Sequence, residues 1–226
     1  MKQHIAIDGP AGAGKSTVAR GVAKRLGYLY LDTGALYRAL TFYFLRESFD
    51  PGAVNLESVL AQITISLEPS DDGTRVILDG EDITAFIRLP EVDRMVSRVA
   101  ELKGVRDFLR SIQRTLALSR PSVVEGRDIG TVILPEADLK VFLTAKPEVR
   151  AYRRWLELRS RGNIVDYKRV LKNILERDAI DSNRQYAPLK KADDAVLIDT
   201  SFLKIEEVVH KIYTLAMGKE NGYRGD

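Results

Sequence analysis

IAIDGPAGAGKST, residues 5–17, decides the fold. The apolar run Ile5–Ile7 reads as a buried strand, and it breaks into a loop with glycine at 9, 12 and 14 before a lysine and two hydroxyls. Val18, Val22 and Leu26 then recur every fourth residue, one face of a helix, and Gly27 is placed to end it. Strand, glycine loop and helix in that order are the setting in which G-x-x-x-x-G-K-[ST] wraps a polyphosphate. Glycines let backbone N–H groups curl around phosphate oxygens, Lys15 adds a point charge, and the helix turns its positive end to the anion. Gly9, Pro10, Ala11, Gly12, Ala13, Gly14, Lys15, Ser16 and Thr17 are therefore the candidate triphosphate-binding residues, with Ser16 the candidate magnesium ligand.

Outward from this loop, short apolar strands recur at 28–31, 122–124, 140–143 and 195–198. Helical patterns lie between or after them, at 147–161, 166–182 and 201–217. Strands alternating with helices predict a parallel sheet covered on both faces. The middle breaks the rhythm. A helix around Leu56, Val59, Leu60 and Ile63 is followed by ITISLE (63–68), the turn PSDDG (69–73) and TRVILDG (74–80), a predicted hairpin. A helix carrying Val92, Met95, Val96 and Val99 comes next. The expected architecture is one α/β domain over 1–226 with a hairpin-and-helix insertion near 60–102 and a disordered tail at 219–226.

Composition excludes several classes. At 226 residues, 45% hydrophobic and 30% charged, the chain can build a core yet has no apolar run of membrane-spanning length. The N-terminus becomes strand and loop too soon for a signal peptide. There is no cysteine, so no disulfide framework, and His4 and His210 are too far apart for a histidine zinc site. A net charge of +3, from 35 basic and 32 acidic residues, without a basic run, argues against nucleic-acid binding. A soluble, cytoplasmic monomer is expected.

The loop alone does not say where the γ-phosphate goes. No N-K-x-D guanine-reading motif is present, and helicase or transporter ATPases are normally larger. LDTGALYR (31–38) places Thr33 where a strand gives way to a helix, a fitting N-cap, with Tyr37 one turn on and Arg38 beside it. VVEGRDIGT (123–131) ends an apolar strand in Glu125, Arg127 and Asp128 between Gly126 and Gly130, more charge than a connecting turn needs. ERDAIDSNR (176–184) spaces Arg177, Asp181 and Arg184 along one helix face. Arg150, Arg153, Arg154, Arg159 and Arg161 crowd 149–162. Structural helices have little use for so many like charges, whereas phosphoryl transfer uses guanidiniums to stabilise charge on the moving group.

Together LDTGALYR, EGRDIGTVILP and RDAIDSNRQYAPLKKADDAVLIDT (177–200) resemble the bacterial cytidylate (CMP/dCMP) kinases, P-loop nucleoside monophosphate kinases, across nearly the whole chain. The resemblance implies a P-loop NTPase fold with a five-stranded parallel sheet, an acceptor-binding insertion and an arginine lid at 146–163. It implies ATP as phosphoryl donor with Mg2+, and CMP or dCMP as acceptor. It puts the acceptor phosphate against Arg38, Arg127 and Arg184 with Thr33 and Tyr37 nearby, cytosine against Ser97, Arg106 and Asp128, and the sugar near Arg177 and Asp181. Lys15, Arg127, Arg184, Arg153 and Arg154 become the candidate catalytic residues. Arg106 could equally share a polar face with Arg110 and Gln113. A kinase for another small acceptor such as UMP or shikimate, and a nucleotide-binding switch, are the alternatives.

Overall fold

A computed structural model describes residues 3–52, 56–70, 73–160 and 162–218. Residues 71–72 of the expected hairpin turn, Arg161 and the expected disordered tail, 219–226, lie outside them.

The sheet is built from five strands, β1 (His4–Asp8), β2 (Leu29–Asp32), β6 (Ser122–Gly126), β7 (Leu139–Thr144) and β8 (Val196–Asp199). All pair in parallel, in the order β2-β6-β1-β7-β8. Burial on both faces explains why each reads as an apolar run. Side-chain alternation then sorts them. Ile5 and Ile7 face one core layer with Val18 and Val22 of α1 (Lys15–Leu26) and Val208 and Ile212 of α8 (Ile205–Ala216). Ala6, Leu31 and Val124 face the other with Leu36, Leu40 and Phe44 of α2 (Thr33–Arg46) and Leu109 of α5 (Lys103–Leu118). Gly27 closes α1 in the left-handed conformation at φ 71°, its N–H donating to Ala23 O.

Between α2 and α5 the chain leaves this sheet. A short α3 (Leu56–Leu60) precedes β3 (Ile65–Ser70), β4 (Gly73–Leu78) and the two-residue β5 (Glu81–Asp82), which form a separate antiparallel sheet. The hairpin forms, but its strands run further than expected, with Pro69, Ser70 and Gly73 of the expected turn paired in the ladder; the third strand is an addition. Ile65, Leu67, Val76 and Leu78 join the same apolar cluster as α2. A 3-10 turn and α4 (Pro90–Val99) bring the chain back to the cleft. Past β7, α6 (Pro147–Ser160) and α7 (Tyr167–Asn183) form a hairpin with its own small core of Ala151, Val170 and Ile174, closed by Trp155 Nε1 donating to Val165 O at 3.0 Å.

Two expectations shift. Thr33 is the first residue of α2, and the cap is Asp32, whose carboxylate accepts from Ala35 N at 3.2 Å. The Thr33 hydroxyl is already committed, donating to Glu125 O at 2.7 Å. Arg184 stands just beyond α7, so it is not on the helical face with Arg177 and Asp181.

Candidate active site

The parallel register sets the carboxyl ends of β1, β6 and β2 side by side: Asp8 opposite Gly126, and Glu125 between Ile7 and Asp32. Chain leaving these ends lines a cleft of about 1540 Å³, the usual ligand position on such sheets. On one wall the glycine loop closes over the N-terminus of α1. Gly9 has φ 149°, and a Cβ there would stand 2.0 Å from Leu143 O, so only glycine fits. Lys15 is buried, with Nζ donating to Pro10 O at 2.9 Å. Burial, helped by the Arg127 charge, pushes its ammonium down to about 7.

Glu125 sits against this loop. Its carboxylate is hydrogen-bonded to Ser16, and Tyr30 Oη donates to Oε1 at 2.9 Å. Burial first, then the charge of Asp32, raises its carboxyl above the usual range. A buried carboxylate next to the loop hydroxyl is the arrangement that holds a phosphate-bound cation in P-loop enzymes. The sequence shows Glu125 only as one charge among three; its proximity to Ser16 is a product of sheet order.

The opposite wall is basic. Arg127 Nε donates to Asp181 Oδ2 at 2.7 Å, and Arg184 NH1 lies 3.7 Å from the other Asp181 oxygen. Burial alone would raise the Asp181 carboxyl, but Arg127 and Arg177 outweigh it and hold it low. Arg177, facing Arg127, is pushed down to about 10 by burial and then by that like charge. Arg184 also lies 3.6 Å from Asp128 Oδ1. Asp128 Oδ2 accepts from Arg106, which stacks over the Tyr37 ring at 5.5 Å. Arg106 and Gln113 are therefore buried, while Arg110 is exposed; the shared polar face does not form.

The expected residues sort into two layers. Lys15, Ser16, Thr17, Arg38, Ser97, Arg127, Arg153, Arg154 and Arg177 line the cleft. Thr33, Tyr37, Arg106, Asp128, Asp181 and Arg184 are buried behind them. Arg38 lines the same cleft as Arg127 but is held by different partners. It donates to Ile87 O at 3.3 Å and to Asp93 Oδ1 at 2.5 Å, and the other oxygen of Asp93 takes Arg154 NH2 at 2.5 Å. Asp93, unremarked in the sequence, thus joins α2, α4 and α6.

The arginines of α6 divide by task. Arg153 donates to Thr200 Oγ1 at 3.0 Å and to Thr200 O at 2.6 Å. Arg150 is buried beneath the glycine loop, donating to Ala145 O and Ala11 O and pairing with Asp178 at 2.7 Å. Arg159 stacks on Trp155 at 4.7 Å.

Guanidiniums facing a phosphate cradle suit transfer between two anionic substrates, and on this parallel sheet they define the protein as a P-loop kinase. The family model described as cytidylate kinase matches residues 5–217. A cytidylate kinase of Carboxydothermus hydrogenoformans is 47% identical over 96% of this chain and 98% of its own. One from Shouchella clausii is 49% identical over 94% and 95%. The chain belongs to the cytidylate kinase family. In fold it is similar to a shikimate kinase from Bacteroides thetaiotaomicron, TM-score 0.50 and 14% identity over 94% of this chain and 97% of that one.

Proposed function

We propose that the protein transfers the γ-phosphoryl group of ATP to CMP and dCMP. One observation carries this reading: the glycine loop with Lys15 and the guanidiniums of Arg38, Arg127 and Arg177 line one cleft, and the Arg106–Asp128 pair is buried behind them. The acceptor phosphate is already an oxyanion. Its oxygen attacks the γ-phosphorus, the bond to the β,γ-bridging oxygen breaks, and ADP leaves with no covalent intermediate. The protein's share is alignment and charge neutralisation by Lys15, Arg127 and Arg184, with Arg153 and Arg154 from α6. Arg38 completes the phosphate set.

The base is read by exchange. Asp128 accepts and Arg106 donates, and cytosine offers the complementary edge, an N4 amino donor with N3 and O2 acceptors. Cytosine can therefore replace the Arg106–Asp128 bond partner for partner. Uracil presents a carbonyl at position 4, leaving a buried carboxylate facing an oxygen, a mismatch of about 1–3 kcal/mol or more. Tyr37 and Ser97 frame the base, Thr33 supports the strand end, and Arg177 and Asp181 meet the sugar.

Magnesium fits beside the loop. Ser16 and Glu125 put two hard oxygen donors together at the phosphate end of the cleft, where they would hold the ion and it would supply charge neutralisation to the phosphates. Among the described residues no trio of His, Cys, Asp or Glu forms a separate metal site, and no helix is long and apolar enough to cross a membrane. A cytoplasmic monomer completes the reading, supported by a composition with no cysteine to call for an oxidising compartment. The test is ADP release from ATP with CMP, dCMP, UMP, AMP and shikimate in parallel. Release strongest with CMP and dCMP is expected; release indifferent to the acceptor, or strongest with another, overturns the reading.

A further inference from the structure

Asp8 ends β1 and directly precedes Gly9, the first residue of the phosphate loop. It is 5% exposed, yet among the described residues it forms no ion pair. Its two oxygens instead take two backbone amides, Ile129 N at 2.8 Å and Gly130 N at 2.7 Å. These amides open the π-helical turn Ile129–Ile133, which begins immediately after Asp128. Burial pushes the Asp8 carboxyl up to about 6, with the Asp128 charge adding to it and Lys15 opposing. A turn needing only satisfied amides could use a hydroxyl or an amide side chain at lower desolvation cost. A carboxylate adds rigidity, because both oxygens are fixed by charge-assisted bonds to consecutive residues.

Among the described residues these two bonds are the side-chain hydrogen bonds from β1 to the turn, just beyond the ladder pair Asp8–Gly126. Asp128 sits at φ −141° and ψ 27°, and its side chain points to Arg106. A rotation of the peptides at 129 and 130 would swing that carboxylate away. We infer that Asp8 is a positioning residue for base discrimination: by clamping the amides of Ile129 and Gly130 to the strand that carries the phosphate loop, it fixes the direction of Asp128. The inference rests on the reading of Asp128 as the cytosine acceptor and extends it, since the same strand end then sets both the donor loop and the acceptor base.

The experiment compares kcat/KM for CMP and UMP, with KM for ATP, in three variants. Asp8→Asn keeps the shape but turns an NH2 group toward one amide, donor against donor. The CMP-to-UMP ratio of kcat/KM falls about tenfold, mostly through KM for CMP, while KM for ATP stays within about twofold. In Gly130→Ala, the added Cβ meets Asp8 Oδ2 at 3.3 Å and Lys140 Cδ at 3.2 Å. The turn shifts by tenths of an ångström, and the ratio falls by a smaller factor. Asp128→Ala is the control and loses the preference. If Asp128→Ala loses it and Asp8→Asn lowers CMP and UMP alike, Asp8 is merely structural and the inference is wrong. If Asp8→Asn does not fold, Gly130→Ala decides, and an unchanged ratio there overturns the inference. If Asp128→Ala keeps the preference, the base-reading role and this inference fall together.

Discussion

Lys15 shows how far single residues are legible. Its place in the glycine loop is plain from sequence; its burial against Arg127 is not, and that burial sets its chemistry. The folded ammonium titrates near 7 against an ordinary 10.5, so its burial destabilises the fold fully below about 7 and progressively less as pH rises toward 10.5. A bound triphosphate favours the charged form. At pH 8, ATP binding takes up about one proton through Lys15, and at pH 6 much less. Calorimetry in two buffers of different ionisation enthalpy reads this directly; enthalpies independent of buffer at pH 8 would refute it. Lys15→Ala loses transfer by about 10³-fold or more while circular dichroism stays native. Near-normal turnover would remove the lysine from the chemistry. Glu125, Asp8 and Asp93 mark the limit of sequence reading. Each stands in a stretch whose glycines or hydrophobic spacing are informative, but their partners arrive from strands and helices far along the chain, and no local pattern encodes that.

At the scale of elements, the parallel strands are the most legible, because burial on both faces writes them as apolar runs. Element ends are harder to read, since side chains compete for backbone groups there. The helix expected from 201 starts at Ile205. Thr200 Oγ1 is taken by Ala13 O and Thr144 O, and Ser201 Oγ accepts Lys146 N at 2.9 Å, so these residues staple β8 to the glycine loop. Arg184 leaves α7 for a similar reason: its Nε donates to Ala187 O at 2.6 Å, folding the chain back toward Asp128. Gly27 is the end that local chemistry does fix. A Cβ there would meet nothing within 4 Å, so the cost of substitution is conformational alone. Gly27→Ala lowers stability by about 1 kcal/mol, seen as a reduced urea midpoint at unchanged slope, with kcat unaffected. A loss well beyond that would mean the turn makes contacts the geometry does not show.

The molecule as a whole depends on how its cleft walls are tied, which sequence shows least. Five arginines in 149–162 suggest a cover over the substrates; the four among the described residues hold different partners, Arg150 the glycine loop, Arg153 Thr200, Arg154 Asp93 and Arg159 the Trp155 ring. Arg150 and Arg153 fasten the start of α6 beneath the glycine loop and to Thr200. Arg154, one residue further, reaches across to Asp93 on α4, which also holds Arg38 on α2. The triad is partly exposed, with side chains at 15% (Arg38), 23% (Asp93) and 25% (Arg154), so it is worth about 1–2 kcal/mol, less than a fully buried pair. Among the described residues its Arg154–Asp93 arm is nevertheless the ion pair by which α4 holds α6. Asp93→Ala should therefore act unevenly. Amides of α6 beyond Arg154 and those at the start of α7 lose the cross-cleft tie and exchange up to about tenfold faster, while amides near Arg150, held by Ala11 and Asp178, keep their protection. Hydrogen exchange by mass spectrometry resolves the two halves of the helix. A uniform rise would mean the hairpin moves as one rigid piece hinged below Arg150, and no change would mean that the Trp155 cluster alone holds α6 in place.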